Sequence, residues 1–283
     1  MKKIKIFPKM FIQIFSVLAI IIILVHSLVY FIFPKTYLET RKEKIHNIAD
    51  EISSNMNGKE IKYIEQTLEL YSKSSEIKAF IKRAGINLTS LGFTDHSEVH
   101  TTLVADRAAA ILKEFGYDEH TIELAKIAGY MHDIGNAVNR THHAEYGAIL
   151  ANDILKDTDM PLEDRVTIVS CIGSHDESTG GATDPVSAAV IIGDKTDVRR
   201  NRVSNKDKSS FDIHDRVNYA VTEASLKINA DKKVISLNLQ IDESICTMYD
   251  YFDIFLQRML MCRGAAGVLG AKFKLTANGS KVL

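Results

Sequence analysis

The sequence predicts a mostly α-helical protein that begins with a membrane-spanning helix and ends in a small α+β extension. Three patterns predict this: a long uncharged apolar run near the start, apolar residues at helical spacing through the middle, and alternating apolar residues near the end. The 283 residues allow one large domain with accessory segments, and a 46% hydrophobic content supplies a core. We expect four segments: the membrane span with its flanks at residues 1–37, a helical stalk at 38–89, a main helical domain at 90–222 and the α+β extension at 223–283.

The overall composition narrows the classes of function. The net charge is -1, so there is no signal for a nucleic-acid partner. The 3 cysteines are widely spaced and form no CxxC pair, which argues against a disulfide scaffold and fits a reducing compartment. The chemistry therefore has to be sought among the histidines and carboxylates.

Residues 10–33 contain no Asp, Glu, Lys or Arg and are long enough to cross about 30 Å of hydrocarbon. A cleaved signal peptide would have a shorter apolar region and a small-residue cleavage site, and neither is visible. We therefore expect a single-pass membrane protein, but the flanking lysines and arginines nearly balance and leave its orientation open. Residues 1–83 resemble the amino-terminal part of a bacterial sensor histidine kinase, without the kinase modules. These residues are either a functional sensing segment or a piece that is fused to an unrelated domain, and the sequence leaves both interpretations open.

Two successive helices are predicted to bring histidines and a carboxylate together. Asp95 and Glu98 have capping-box spacing, so a helix is expected to start at Asp95 with His100 one turn in. The next apolar helix ends at His132 and Asp133. A buried carboxylate needs a counter-charge, and a metal ion would supply one while also accepting an imidazole nitrogen.

Three further segments complete this set. His142 and His143 stand at the start of another helix, His175 at the end of an apolar helix, and Asp194 at the end of a long apolar run. A mixture of imidazoles and carboxylates favours Fe, Mn or Zn over Mg alone. We expect one or two divalent transition metal ions.

The order of these residues resembles that of the HD-domain metal-dependent phosphohydrolases. A helical histidine comes first, then a His-Asp doublet followed by Ile134-Gly135, then later histidines, and finally an aspartate in the segment DKTD. This resemblance implies an HD-type helical bundle. It also implies a first metal ion and, where a second is present, further histidines that bind it. The matching positions for the first ion are His100, His132, Asp133 and Asp194, and those for the second are His143 and His175.

The resemblance implies metal-assisted hydrolysis of a phosphate ester by activated water, with Asp133, His143 and His175 as catalytic residues. His143 and His175 could instead contact the substrate. The GYP segment of the cyclic-dinucleotide phosphodiesterases is absent, and Gly135-Asn136 replaces the acidic pair of the guanosine-tetraphosphate hydrolases. The expected substrate is therefore a nucleotide or another phosphorylated small molecule. HD domains usually work in the cytosol, so a cytoplasmic domain is expected.

Several alternatives stay open at this point. His96 lies one turn before His100 and is its main rival as a ligand, whereas His142 is expected to face solvent or lie behind the site. Lys195 and Arg199 belong to a basic run and are expected one helical turn apart, where they would bind phosphate; a solvated helix face is the alternative. The whole domain could also be a membrane-anchored ligand-binding or signalling module with little turnover.

The carboxy-terminal segment predicts a hairpin, a helix and two final strands. Alternating apolar residues and a turn at Asn229–Lys232 indicate the hairpin, a helix is expected from Glu243 to Leu269, and Asn278-Gly279 indicates a second turn. We expect a small antiparallel sheet packed by one helix. This extension is either a structural part of the main domain or a surface for binding or homodimerisation.

Overall fold

The structure, a computed structural model, describes residues 75–94, 96–203, 205, 211 and 213–283. The predicted span at 10–33 and most of the predicted stalk lie outside the described residues. Within the described part of the chain, no helix is both long enough and apolar enough to cross a membrane. The membrane span, the single-pass topology, the cytoplasmic location and the homodimer therefore stay predictions.

Helices make up most of the described residues, which confirms the predicted mainly helical class and the small strand region at the carboxyl end. The helices before the strands are α1 (75–90), α2 (Glu98–Glu114), α3 (Glu119–Met131), α4 (His143–Leu155), α5 (Leu162–Gly173), α6 (Pro185–Lys195) and α7 (Ile213–Ala220), and α8 (Met248–Val268) comes later in the chain. Short 3₁₀ turns follow α3, at Ile134–Ala137, and α6, at Arg200–Arg202.

The start of α2 differs from the prediction. Ser97, and not Asp95, is the N-cap, and its hydroxyl accepts a hydrogen bond from the backbone N–H of Val99 at 3.3 Å. Asp95 itself lies outside the described residues. A serine hydroxyl satisfies an otherwise unpaired amide as well as a carboxylate does, so the helix begins at Glu98 and His100 falls in its first turn.

Helix α6 is the centre of the bundle. Its start is held by a capping box between Asp184 and Ser187, with Pro185 at the first helical position. Every residue from Val186 to Lys195 is buried, and α2, α3 and α8 all pack against this helix. A helix that is apolar on all sides belongs in a core, so Asp194 and Lys195 are brought inside the protein with it.

The strands of the carboxy-terminal sheet are β1 (Val221–Asn229), β2 (Val234–Ile241), β3 (Lys272–Ala277) and β4 (Ser280–Lys281). Their order in the sheet is β1-β2-β3-β4, and one of the pairings corrects the prediction. Strands β1 and β2 form the predicted antiparallel hairpin, and β3 and β4 meet at the Asn278-Gly279 turn. Strands β2 and β3 are parallel, because helix α8 carries the chain back along the sheet before β3 begins.

Helix α8 joins this extension to the helical bundle. It begins at Met248, five residues later than predicted, because Thr247 caps it with a hydrogen bond from the Asp250 N–H. Its predicted apolar side is buried, including Tyr251, Phe255 and Met259, and the helix packs on both α6 and β3. The described residues all belong to one compact unit, so the boundary predicted near residue 222 stays a prediction.

Candidate metal centre

Five separate segments bring the predicted metal ligands to one buried place. His100 comes from the first turn of α2, and His132 caps the end of α3 with Asp133 directly after it. His143 opens α4, and His175 lies two residues beyond the end of α5. Asp194 is the penultimate residue of α6. All of these side chains are buried, and their ligand atoms form overlapping groups within 4.8 Å of one another.

The close contact of α2 with α6 explains why His100 reaches Asp194. A Cβ atom added to Gly193 would lie 3.0 Å from the carbonyl oxygen of Val104, so the two helices approach as closely as a glycine allows. This approach places His100 Nε2 at 3.3 Å from Asp194 Oδ1. The first turn of one helix and the last turn of the other thus supply two members of the site.

One oxygen of Asp133 faces the first group of ligands. Asp133 Oδ2 lies 3.2 Å from His132 Nε2 and 3.7 Å from His100 Nε2. Asp194 Oδ1 completes this group at 3.8 Å from His132 Nε2. Ligand atoms that share an ion at about 2.1 Å lie roughly 3 to 3.5 Å apart, so these spacings suit a shared cation.

The other oxygen of Asp133 faces a second group. Asp133 Oδ1 lies 3.7 Å from His143 Nε2 and 3.8 Å from His175 Nε2. Asp176 adds a carboxylate here, with Oδ2 at 3.6 Å from His143 Nε2. Asp133 thus stands between two sets of donors and presents one oxygen to each.

The outer nitrogen of each imidazole is held by an acceptor. His132, His143 and His175 donate from Nδ1 to the carbonyl three residues earlier, at 2.7, 3.2 and 2.6 Å. His100 donates from Nδ1 to Asp197 Oδ2 at 2.8 Å. Because these oxygens only accept, Nδ1 carries a hydrogen, and Nε2 is the nitrogen of each ring that is directed into the site.

These inward nitrogens fit a metal ion. The Nε2 atoms of His100 and His132 are buried and have no hydrogen-bond partner. Buried polar atoms without partners are rare, and a cation would satisfy both. The donor set of imidazoles and carboxylates is the type that transition metals and zinc prefer.

The electrostatics give the residues the charge states that ligands need. Burial alone would raise the pKa of Asp133, but the nearby His132 and His96 hold it well below its usual range. Asp194 is likewise buried, and its pKa is held well below the usual range chiefly by Lys195. Burial lowers the pKa of His143 to about 4. The carboxylates are therefore ionised and His143 is neutral near neutral pH.

His132 is the exception among these groups. Burial by itself would lower its pKa, but the charges of Asp133 and Asp194 raise it above the usual value. The structure thus favours a positive charge between His132 and the two carboxylates. A metal ion carries such a charge and displaces the proton when it binds.

Two other histidines lie next to the candidate ligands in the sequence or in space. His96 is buried, and its Nε2 lies 3.9 Å from Asp133 Oδ2, farther than the Nε2 of His100. Its Nδ1 donates to the carbonyl of Thr94 at 2.6 Å, so this ring also directs Nε2 toward the centre. His142 is exposed and lies 3.5 Å from Glu145, which agrees with the expectation that it faces solvent.

The two expected phosphate-binding cations are both engaged by carboxylates. Lys195 is buried, with Nζ at 2.8 Å from Asp194 and 2.6 Å from Glu177. Arg199 donates two hydrogen bonds to Asp197 at 2.5 and 3.0 Å. The expected one-turn helical spacing between Lys195 and Arg199 is wrong, because α6 ends at Lys195. Their role in substrate binding stays a prediction.

Several residues around the site were not assigned from the sequence. Asp197 lies three residues after Asp194 in the DKTD segment, and that spacing was the available signal for it. Glu177 pairs with Lys195 and also accepts a hydrogen bond from Arg258 of α8 at 3.0 Å. No sequence pattern connects residues so far apart. Arg140 donates to His143 Nε2 at 3.3 Å, a contact that depends on the loop before α4.

Comparison with known proteins agrees with this geometry. Residues 98–217 match the family described as HD domain. The chain is 27% identical over 191 residues to the uncharacterized protein MJ1020 of Methanocaldococcus jannaschii, which covers 59% of this chain and 73% of that protein. The segment matched by the family contains every candidate ligand described above and ends within α7. The match confirms the resemblance to the HD-domain metal-dependent phosphohydrolases over residues 98–217.

Proposed function

We propose that this protein is a metal-dependent phosphohydrolase that cleaves a phosphate ester of a nucleotide or a related small molecule. The observation that carries the proposal is the position of Asp133, whose two oxygens face two different sets of imidazole nitrogens. A carboxylate placed in this way suits two neighbouring ions. The membership of residues 98–217 in the HD family supports phosphate ester hydrolysis.

The chain supplies the ligands and fixes their directions. His100, His132, Asp133 and Asp194 would hold one ion, and His143 and His175 would hold a second together with Asp133. When bound, such divalent ions act as Lewis acids that activate water and neutralise charge on phosphoryl oxygens.

The outer contacts keep the imidazoles in place. Hydrogen bonds from Nδ1 to backbone carbonyls or to Asp197 direct each Nε2 into the site, where it can bind a ligand ion. Lys195 balances the negative charge of Asp194 and holds the Oδ2 atom away from His100. The burial of His100 and His132 excludes bulk water from the inner part of the site.

The test is Asp133→Asn in the full chain, because Asn has the same shape but lacks the charge that both ligand groups face. We expect metal content to fall and hydrolysis across a panel of phosphate esters to drop by more than about 100-fold. The matched control is Asp106→Asn, an exposed carboxylate on the outer side of α2. It should retain both properties.

Two outcomes would count against the proposal. If Asp133→Asn keeps its metal and its activity, the residue is not a ligand and the assignment is wrong. If the wild-type protein binds metal tightly but hydrolyses no ester in the panel, the binding or signalling module replaces the hydrolase as the better explanation.

A further inference from the structure

Arg140 lies at the edge of the metal centre, in the loop that joins the 3₁₀ turn to α4. Its Nη1 donates to Asn136 Oδ1 and to His143 Nε2, each at 3.3 Å. Its Cζ atom lies over the ring of Phe93, 5.4 Å from the ring centroid. A fixed, partly buried cation therefore stands next to a nitrogen of the second ligand group.

The other cations that the structure describes close to the centre are each engaged by a carboxylate. Lys195 pairs with Asp194 and Glu177, Arg199 and Arg202 share Asp197, and Arg258 pairs with Glu177. In the part of the chain that the structure describes, Arg140 is within ion-pair distance of no carboxylate, and its partners are an amide oxygen, an imidazole and an aromatic ring. Its positive charge is thus available to an anion.

Exposure shows from which side an anion can arrive. His100 and His132 are fully buried, whereas the Asp176 side chain beside His143 is 16% exposed and Phe93 is 40% exposed. The side of the centre that contains His143, Asp176 and Arg140 is therefore the one nearer to solvent. Arg140 stands where a ligand would first meet the site.

We propose that Arg140 binds the phosphate group of the substrate. This inference rests on the proposed function and names a cation that the sequence analysis did not select. The guanidinium now donates to the His143 lone pair that a metal ion would use, so metal binding would release that N–H. Guanidinium groups offer paired donors that match phosphate oxygens, and an arginine already held by Asn136 and Phe93 loses little freedom when it binds.

The experiment compares Arg140→Gln and Arg140→Lys with wild type in the full, Mn²⁺-loaded chain. Inorganic phosphate is the probe, and its dissociation constant is measured by calorimetry. Metal content is measured on the same samples, and KM and kcat are measured for any phosphate ester that the wild type cleaves. Arg263→Gln, which removes an exposed arginine from α8, is the matched control.

We expect Arg140→Gln to weaken phosphate binding about 10- to 100-fold, the usual effect of losing a charged hydrogen bond. KM should rise more than kcat falls, metal content should be unchanged, and Arg140→Lys should recover part of the affinity. Arg263→Gln should resemble wild type in every measurement.

The inference is overturned if Arg140→Gln binds phosphate as tightly as wild type, or if wild type binds no phosphate. It is also overturned if metal content falls in parallel with phosphate affinity, because Arg140 would then support His143 instead of binding the anion. The two proposals fail separately. A wild type that hydrolyses nothing, but loses phosphate binding on Arg140→Gln, refutes the phosphohydrolase and leaves the Arg140 assignment intact.

Discussion

Gly135 is the second residue after the His-Asp doublet, and its replacement by alanine should separate two parts of the metal centre. The residue lies in the 3₁₀ turn, where it packs against the start of α4. A Cβ atom at this position would be 1.9 Å from the carbonyl oxygen of His143 and 2.4 Å from the amide nitrogen of Gly147. Both are backbone atoms of α4, so rotation of a side chain cannot relieve the contact.

The size of the displacement follows from these distances. Cβ atoms essentially never come within 3.0 Å of another heavy atom, so the 1.9 Å contact has to open by about 1 Å. Moving the first turn of α4 by that amount would carry His143 Nε2 away from Asp133 Oδ1, which is now 3.7 Å distant. Metal ligand distances tolerate only about 0.2 Å. Overpacking of this kind typically costs about 1–3 kcal/mol.

The assay is urea unfolding together with metal analysis of Gly135→Ala, wild type and Gly264→Ala. We expect the unfolding midpoint of Gly135→Ala to fall by about 1 M urea, and its metal content to be lower than that of wild type after the same loading. Gly264 is exposed on α8 and has no atom within 4 Å of an added Cβ, so alanine there should stabilise the helix by about 0.5–1 kcal/mol. If Gly135→Ala keeps the wild-type midpoint and metal content, the tight packing of the turn against α4 is not what positions His143.

Three other predictions concern the surroundings of the site. Lys195→Met should lower the free energy of unfolding by about 3 kcal/mol, because it leaves the buried Asp194 without the cation that pairs with it, whereas Glu177 keeps Arg258. Added divalent metal should restore part of the loss in urea unfolding, and an unchanged midpoint would refute this. Asp197→Asn should weaken metal affinity about 10- to 100-fold, because the side chain that holds His100 Nδ1 loses its charge. Chelator competition measures the affinity, and an unaltered value would show that this contact does not affect metal binding by His100. The three cysteines are free and buried, and burial raises their pKa values. Iodoacetamide should therefore label none of them in the native protein and all of them in urea. Rapid labelling of the native protein would contradict the burial of these thiols.

The helical part of the fold was accessible from the sequence because its signals are local. Apolar spacing predicted α3, at whose end His132 stands, a long apolar run indicated the segment that ends near Asp194, and alternation predicted the β1-β2 hairpin. The parallel pairing of β2 with β3 was missed because it depends on the path of α8, a relation between elements that no local pattern contains. The start of α2 was missed by a smaller margin, since Ser97 and Asp95 are both suitable caps.

By itself the sequence determined which residue types could bind a metal and which family the chain resembles, because histidines and aspartates at helix ends leave a readable pattern. Only the tertiary structure decided how they are used. It places the two oxygens of Asp133 toward different groups of imidazoles, engages Lys195 and Arg199 with carboxylates, and leaves Arg140 beside His143. These are properties of distance and charge between residues that are far apart in the chain, and they arise only when α6 and the neighbouring helices pack around one buried point.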